Sequence, residues 1–540
     1  MSIDPSLWTR QKRLVAGPEV TAARRRLSTA GTALYWLGLI SPALIPILFP
    51  YLPYQDWPGH VGVVAAQHWL SVDPGALPEA YASRGWMGPN RLAYALAGLL
   101  VPLFGILGGS NLLLAICLGL LGPALHFTIR ALGGDPRWSL AAVALTHGRV
   151  LACGFGPNAM AMAPAIFALG LGWRADRWRY VALLAATLLV TLGLHLFVFL
   201  VISGLLGLVA VIDLFSAPTR RRGLSILGVL ALAVITMRLV AELPVDPRYV
   251  GPGAIETVIA ALQVPKVSDT ADALWTWLFA FHRRGFWDDM IQGLWAGALI
   301  LGVGLAIAPG SRRAAEKGLL LRLFVLIAAV TVVFVVLPAG LGPPINWWGG
   351  NLRLPTFLAV LMVIVASTAR GRGARMAQAA TSAASLAFLL GTASAIYTFN
   401  TEEMGGFSQV IDAIPSGRKV CSFHYSPDIV HEFPGEPHWY AGNYYLARQP
   451  GAVDQSLFSN PGVPISQPHP IPAQGWGIGL GFRWKKHSRW CDGFLVRVDQ
   501  RDPSQPFSGQ TKPECVTLKS AHGNWRYYEK PPGLPDSCVP

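Results

Sequence analysis

Asp56 is the residue with the most chemistry to offer. It stands in the stretch Pro53-Tyr54-Gln55-Asp56-Trp57-Pro58-Gly59-His60, directly after the first long apolar run. A helix begun near Trp57, with Pro58 in its first turn, puts Asp56 and His60 on one face. A carboxylate and an imidazole so placed can share a proton or hold a divalent cation, Mg or Mn. The carboxylate alone can act as a general base, its basicity raised by apolar surroundings. The same residues also fit a plainer arrangement, with Asp56 as the N-cap of that helix and His60 as a polar interfacial side chain.

Other polar residues cluster at the ends of apolar runs. His282-Arg283-Arg284 precedes the run starting near Asp289, and Arg353 opens another, after Asn346-Trp347-Trp348-Gly349-Gly350-Asn351. Arg149 lies in the short segment His147–Asn158, which contains no acidic residue. Arginines at such positions snorkel to anionic headgroups or hold an anionic ligand. Trp347 and Trp348 fit an aromatic belt or a stacking platform for a sugar.

The elements that position these groups are set by composition. Of 540 residues, 52% are apolar and only 13% charged. Several apolar runs reach the ~20 residues that cross ~30 Å of hydrocarbon. The expected fold class is an α-helical polytopic membrane protein with a small C-terminal α/β domain. Expected spans are 33–53, 110–131, 138–152, 157–173, 180–194, 196–214, 223–240, 290–308, 319–338, 353–368 and 377–397, eleven in all.

The net charge of +14 does not point to nucleic acid. Residues 399–540 balance 13 Lys and Arg against 13 Asp and Glu, so the excess sits in short clusters between apolar runs. Those clusters are the basic N-terminus 1–32, Arg130–Arg137, Arg174–Arg179, Arg220–Arg222, Arg312–Arg322 and Arg370–Arg375. The positive-inside rule places them all in the cytoplasm if the further apolar run 91–108 lies in the interface and does not cross. Inside segments then carry 21 Lys and Arg against 8 in the outside loops. The transmembrane domain covers 33–397, with outside loops 54–110 and 241–289, and 398–540 forms the extracytoplasmic domain.

That tail of about 140 residues reads as a helix at Phe407–Ile414 and strands at Lys419–His424, Gly493–Val498, Cys515–Leu518 and Trp525–Tyr528, with a Pro-rich loop over Pro461–Gln474. Four of the six cysteines, Cys421, Cys491, Cys515 and Cys538, fall in it. On the outer side of a membrane they are expected as two disulfides, with three connectivities open. Zinc ligation by Cys421, His424, His431 and His438 fits no finger spacing. No Walker loop, G-x-S-x-G or H-E-x-x-H is present.

A basic N-terminus, one span, an Asp in a long first outside loop, a juxtamembrane helix and a C-terminal outer domain together resemble the GT-C superfamily of membrane glycosyltransferases. The protein O-mannosyltransferase and aminoarabinose transferase branches are the most similar. The resemblance implies sugar transfer from a polyprenyl-phosphate donor to an extracytoplasmic glycan, lipid or protein, with Asp56 in the place of the family's first-loop acid. It implies that Arg283, Arg284, Arg353, His282, Arg149 and Asn351, with Trp347 and Trp348, bind the donor. It also implies a bacterial inner membrane, N-terminus inside and C-terminus outside. The missing acid in the second outside loop departs from many members and weakens a metal-dependent mechanism. The alternatives are a transporter or flippase, for which His126, His195, Asp213 and Arg238 are the few ionisable residues within spans, and a non-catalytic envelope scaffold.

Overall fold

The computed structural model of the chain describes residues 29–73, 81–85, 88–240, 274–276, 278, 286–308, 314–338, 340–341, 347–424, 433, 435–454, 456–459, 463–466, 484, 488–498, 515–531 and 538. Among the described residues seven helical stretches are long and apolar enough to cross a membrane: Thr29–Leu48, Leu92–Leu132, Leu196–Leu214, Arg220–Leu239, Trp287–Ile307, Gly318–Val336 and Arg372–Glu403. They carry seven of the eleven expected spans. Three more expected spans are shorter helices, Gly156–Gly172, Trp178–Leu194 and Leu354–Ala366.

The first half contains α1 (Thr29–Ile40), α2 (Leu44–Leu48), α3 (Trp57–Val72), β1 (Ala82–Ser83) and α4 (Leu92–Leu132). It continues with α5 (Ala142–Thr146), α6 (Arg149–Ala152), α7 (Gly156–Gly172), α8 (Trp178–Leu194), α9 (Leu196–Leu214) and α10 (Arg220–Val240). Next come α11 (Phe286–Ile307), α12 (Ala314–Val336), strands β2 (Gly340–Leu341) and β3 (Trp347–Trp348), α13 (Leu354–Ala366) and α14 (Arg372–Thr398). Small residues let the helices approach closely. A Cβ on Gly122 would lie 2.9 Å from the Leu39 carbonyl oxygen, and one on Gly170 would lie 2.7 Å from Thr128 Oγ1.

Two expectations are corrected in detail. The run 138–152 is not a continuous helix. It is a 3-10 turn (Pro136–Ala141) followed by α5 and α6, broken at His147 and Gly148. It nevertheless extends along the bundle: Ser139 meets Tyr35 at one end, and Ala152 accepts from the Gln55 N–H at the other. The run 91–108 does not stand as a unit either. Gly105, at φ 69° and ψ 172°, breaks α4 in a conformation open essentially to glycine. There the chain doubles back, because a Cβ on Gly109 would lie 3.1 Å from the Leu100 carbonyl carbon. Nine residues of straight helix would separate these atoms by ~13 Å. The arm 92–104 is only ~20 Å long, too short to cross ~30 Å.

The basic clusters gather at one end. Asp213, fully buried, is paired with Arg222 and, at 3.1 Å, with Arg322. Arg222 also donates to the Trp173 carbonyl, next to Arg174. The Asp135 N–H donates to the Ser367 carbonyl, joining the Arg130–Arg137 cluster to the one at Arg370. Asp56 lies at the opposite end. Asp213, a transporter candidate by sequence, is a counter-ion that ties two loops together.

From α14 the chain passes through a π turn (Phe399–Glu403) into the C-terminal domain: α15 (Phe407–Asp412), β4 (Lys419–His424), α16 (Asn443–Arg448), β5 (Ala452–Val453), β6 (Ile465–Ser466), β7 (Gly493–Arg497), β8 (Thr517–His522) and β9 (Trp525–Glu529). The sheet order is β5-β4-β7-β9-β8, with β4 parallel to β5 and β7 and the remaining pairs antiparallel. The strand expected at Cys515–Leu518 runs instead over Thr517–His522, and the Pro-rich stretch contributes β6, which pairs with β1. The cysteines form Cys421–Cys491 and Cys515–Cys538. With Cys421 in a disulfide, the zinc grouping loses its thiolate; His431 lies outside the described residues.

Glu403 joins bundle and sheet. Buried to 1% exposure, it pairs with Arg497 on β7 and with His438 Nε2 at 3.5 Å, while its carbonyl accepts from Trp525 Nε1 at 2.8 Å.

Candidate active site

Three contacts fix the backbone around Asp56. Tyr54 is fully buried with its hydroxyl 2.8 Å from His147 Nδ1. Trp57 Nε1 donates to Asn111 Oδ1 at 3.0 Å, and Asn111 Nδ2 in turn donates to the Phe49 and Pro50 carbonyls. The Gln55 N–H donates to the Ala152 carbonyl. Span, α3 and the 147–158 loop, expected from sequence to lie outside, are therefore locked together at the turn that carries Asp56.

Asp56 occupies the N-cap position of α3, yet its side chain makes no capping hydrogen bond. The cap reading of the sequence therefore fails at the atom that matters: the carboxylate is left for something else. Burial pushes it up to about 7, with the Arg353 guanidinium opposing that shift. A carboxyl group so tuned is half ionised near neutral pH, where a general base is most useful.

His60 does follow on the same face, but both of its ring nitrogens are engaged. Nε2 lies 3.1 Å from the Gly154 carbonyl and Nδ1 2.8 Å from the Tyr94 hydroxyl. A carbonyl only accepts, so Nε2 carries the proton and Nδ1 accepts from Tyr94. Burial holds the imidazole down to about 4, so it stays neutral. His60 positions the second outside loop and has no lone pair left for a cation. Among the described residues no three His, Cys, Asp or Glu side chains form a metal-binding group. One carboxylate, a fully engaged imidazole and an arginine are a poor donor set for Mg or Mn.

The second outside loop, which lacks an acid, presses its backbone onto Asp56. Gly154 has φ +86°, and a Cβ there would lie 2.0 Å from the Asp56 nitrogen. Arg149, half-buried on α6, shares a hydrogen bond with Cys153, and the charges of Arg149 and Asp56 both act on that thiol.

Arg353 ends a 3-10 turn (Asn351–Arg353) before α13 and is only 6% exposed. Its guanidinium stacks over Phe155 at 4.1 Å and lies 5.8 Å from Phe197, and Nη1 donates to His195 Nε2 at 3.2 Å. His195 itself is held at the start of α9, where the Leu196 N–H donates to Asn90 Oδ1 at 2.7 Å. The structure thus brings Asp56, His60, Arg353 and Arg149 together. Asn351 is two residues from Arg353, and its buried Oδ1 makes no hydrogen bond among the described residues. Trp347 and Trp348 form β3 against β2. His282, Arg283 and Arg284 lie outside the described residues.

The C-terminal domain roofs this end. The Glu436 N–H donates to Gln55 Oε1 at 3.2 Å, and a Cβ on Gly59 would touch the Tyr440 ring at 3.5 Å. Tyr440 feels the Asp56 charge, and burial raises its phenol. Beneath the site is a space of about 10 Å³ lined by residues including Trp57, His60, Tyr94 and Met160. It holds about one water and is too small for a sugar.

Solved structures share this architecture. ArnT from Cupriavidus metallidurans bound to undecaprenyl phosphate matches at TM-score 0.55 and 10% identity, over 94% of this chain and 99% of that one. The chain has the GT-C fold. The apo state of the same ArnT matches at TM-score 0.52 and 10% identity over the same shares. The mycobacterial arabinofuranosyltransferase AftD matches at TM-score 0.45 and 13% identity, over 94% of this chain and 40% of that one. No family model and no curated protein matches the sequence. Of the residues gathered here, the sequence singled out Asp56, His60, Arg149 and Arg353 but not Tyr94, Gly154 or Tyr440, and it offered His195 only as an ionisable residue a transporter could use. The only local signal for Tyr440 was the aromatic density around it.

Proposed function

We propose that this chain is a membrane glycosyltransferase of the bacterial inner membrane, moving a sugar from a polyprenyl-phosphate donor to a hydroxyl-bearing acceptor on the extracytoplasmic side. Asp56 carries this reading: a carboxylate at a helix start that does not cap the helix, held near pKa 7 opposite a buried arginine. In the reaction Asp56 takes the proton of the acceptor hydroxyl. The new bond from that oxygen to the anomeric carbon forms as the bond from that carbon to phosphate breaks. The polyprenyl phosphate leaves with the electron pair, its charge met by Arg353 and Arg149. We propose a single displacement with inversion at the anomeric carbon, Asp56 being the carboxylate at the described site.

The undecaprenyl phosphate bound to the structurally similar ArnT supports the donor class. Transport is not favoured: Asp213 is bound to two arginines, His126 to the Tyr35 hydroxyl at 2.7 Å, and His195 to Arg353. Asp56→Asn tests the proposal. It should lower transfer by about 10²–10⁴-fold while donor binding persists; full activity in that variant would end the base assignment. Donor binding without turnover in the unaltered protein would favour the scaffold.

A further inference from the structure

The end of the bundle opposite Asp56 holds a second concave feature. A groove of about 520 Å³ runs between α8 and α10, within the ~300–1,000 Å³ of small-molecule sites. Its wall is apolar: Val181, Ala182 and Ala185 on α8, and Gly228, Val229 and Leu232 on α10, of which Ala182, Ala185 and Gly228 are small. Its mouth is not apolar. Asp176 and Arg221 both line it, with Ser225 below and Trp178 beside it, 82% exposed. Asp176 and Arg221 are exposed, and among the described residues neither side chain makes a hydrogen bond or ion pair; the Arg221 carbonyl accepts from Ser225 Oγ at 3.0 Å. Two opposite charges therefore face the same groove without bridging each other.

We infer that this groove binds a phospholipid with a zwitterionic amino headgroup, of the phosphatidylethanolamine class. The helices α8 and α10 contain membrane-spanning sequence, so the groove opens to lipid along its length, and its small residues leave room for an acyl chain. At the basic end the phosphate meets Arg221 and the primary ammonium meets Asp176, closing the gap between the two charges through the headgroup. Trp178 lies at the depth where indoles settle in membranes. An anionic headgroup without an amine would satisfy Arg221 and leave Asp176 repelling it.

Gly228 gives a clean test, because a Cβ there meets nothing within 4 Å. The first carbon of Gly228→Leu enters open space, so the new side chain occupies the groove it lines. Gly204 on α9 is equally open, so Gly204→Leu is the matched control. Native mass spectrometry of the full chain in detergent would follow retention of added phosphatidylethanolamine, phosphatidylglycerol and phosphatidylcholine. The unaltered protein should hold phosphatidylethanolamine at least tenfold more tightly than either other lipid. Gly228→Leu should remove that advantage and Gly204→Leu should keep it, while Asp176→Asn should erase the preference over phosphatidylglycerol. Equal retention of all three lipids, preference for phosphatidylglycerol, or tight phosphatidylethanolamine binding by Gly228→Leu would overturn the inference.

Discussion

As the proposed base, the Asp56 carboxyl group must be both ionised and basic. Burial supplies the basicity and Arg353 keeps ionisation within reach, and the balance falls at about 7. Only the ionised form can take a proton, so activity should be level above pH 7 and fall about tenfold per unit below it. A pH profile of kcat/KM with its acid limb near 4 would mean that Asp56 is not the base. His60, neutral down to about 4, adds no second limb between pH 5 and 9. Arg353 depends on a neighbour too. Its bond to His195 fixes the fork over Phe155, so His195→Ala should raise KM for the donor about tenfold, with His195→Gln recovering most of it through its side-chain oxygen. A fall in kcat with KM unchanged would place His195 outside donor binding. Asp56 and Arg353 were legible in the sequence because a charge beside an apolar run is conspicuous. Their partners were not, because His195 and Arg353 are 158 positions apart and Tyr94 reads as one aromatic in an apolar helix.

Among the elements, the 147–158 loop has the most particular task. It brings no acid; it brings backbone. Gly154 packs against the Asp56 nitrogen at a φ that disfavours any side chain, so Gly154→Ala should displace the loop, lose ~1–3 kcal/mol of stability and cut activity at least tenfold. Wild-type activity in a stable Gly154→Ala protein would show that the contact is dispensable. Sequence marked this loop by Arg149 and by the acid it lacks but not by Gly154, since composition reports side chains and the contact is made by main chain. The arm 92–104 teaches the same lesson. Its apolar content resembles that of a span, and the charge balance between loops is what argued against a crossing. The turn itself rests on the conformation of Gly105. Strands in the tail were easier to read, because short β-rich runs bounded by Gly and Pro leave few alternatives. The missed end of β8 follows from its exposure: Thr517–His522 has no apolar face to betray it.

For the whole molecule, the joint between bundle and C-terminal domain is an ionic one. Glu403, Arg497 and His438 are all nearly sealed from water. Burial pushes His438 down to about 4; Glu403 opposes the shift and Arg497 reinforces it. An unfolded histidine takes up its proton near 6.5. As pH falls from 6.5 towards 4 the unfolded chain gains a proton that the folded domain refuses, so the folded-to-unfolded ratio should drop by up to tenfold per unit. His438→Phe, which keeps the stack on Phe399, should flatten that dependence in thermal melts; an unchanged slope would exonerate His438. The Cys421–Cys491 bridge closes a separation of 70 residues. Replacing both cysteines by alanine should cost about 2–5 kcal/mol in the outer domain.

The bond from Glu436 to Gln55 joins positions 381 apart in the chain. During synthesis Asp56 leaves the ribosome with the first span, while its roof follows only after the last one. A half-made chain can already sit in the bilayer with its carboxylate in place, yet the chamber around it is still open. Under the proposed transferase reading, the order of translation delays the chemistry until the outer face is complete, and a nascent chain arrested before residue 400 should be inserted but inert.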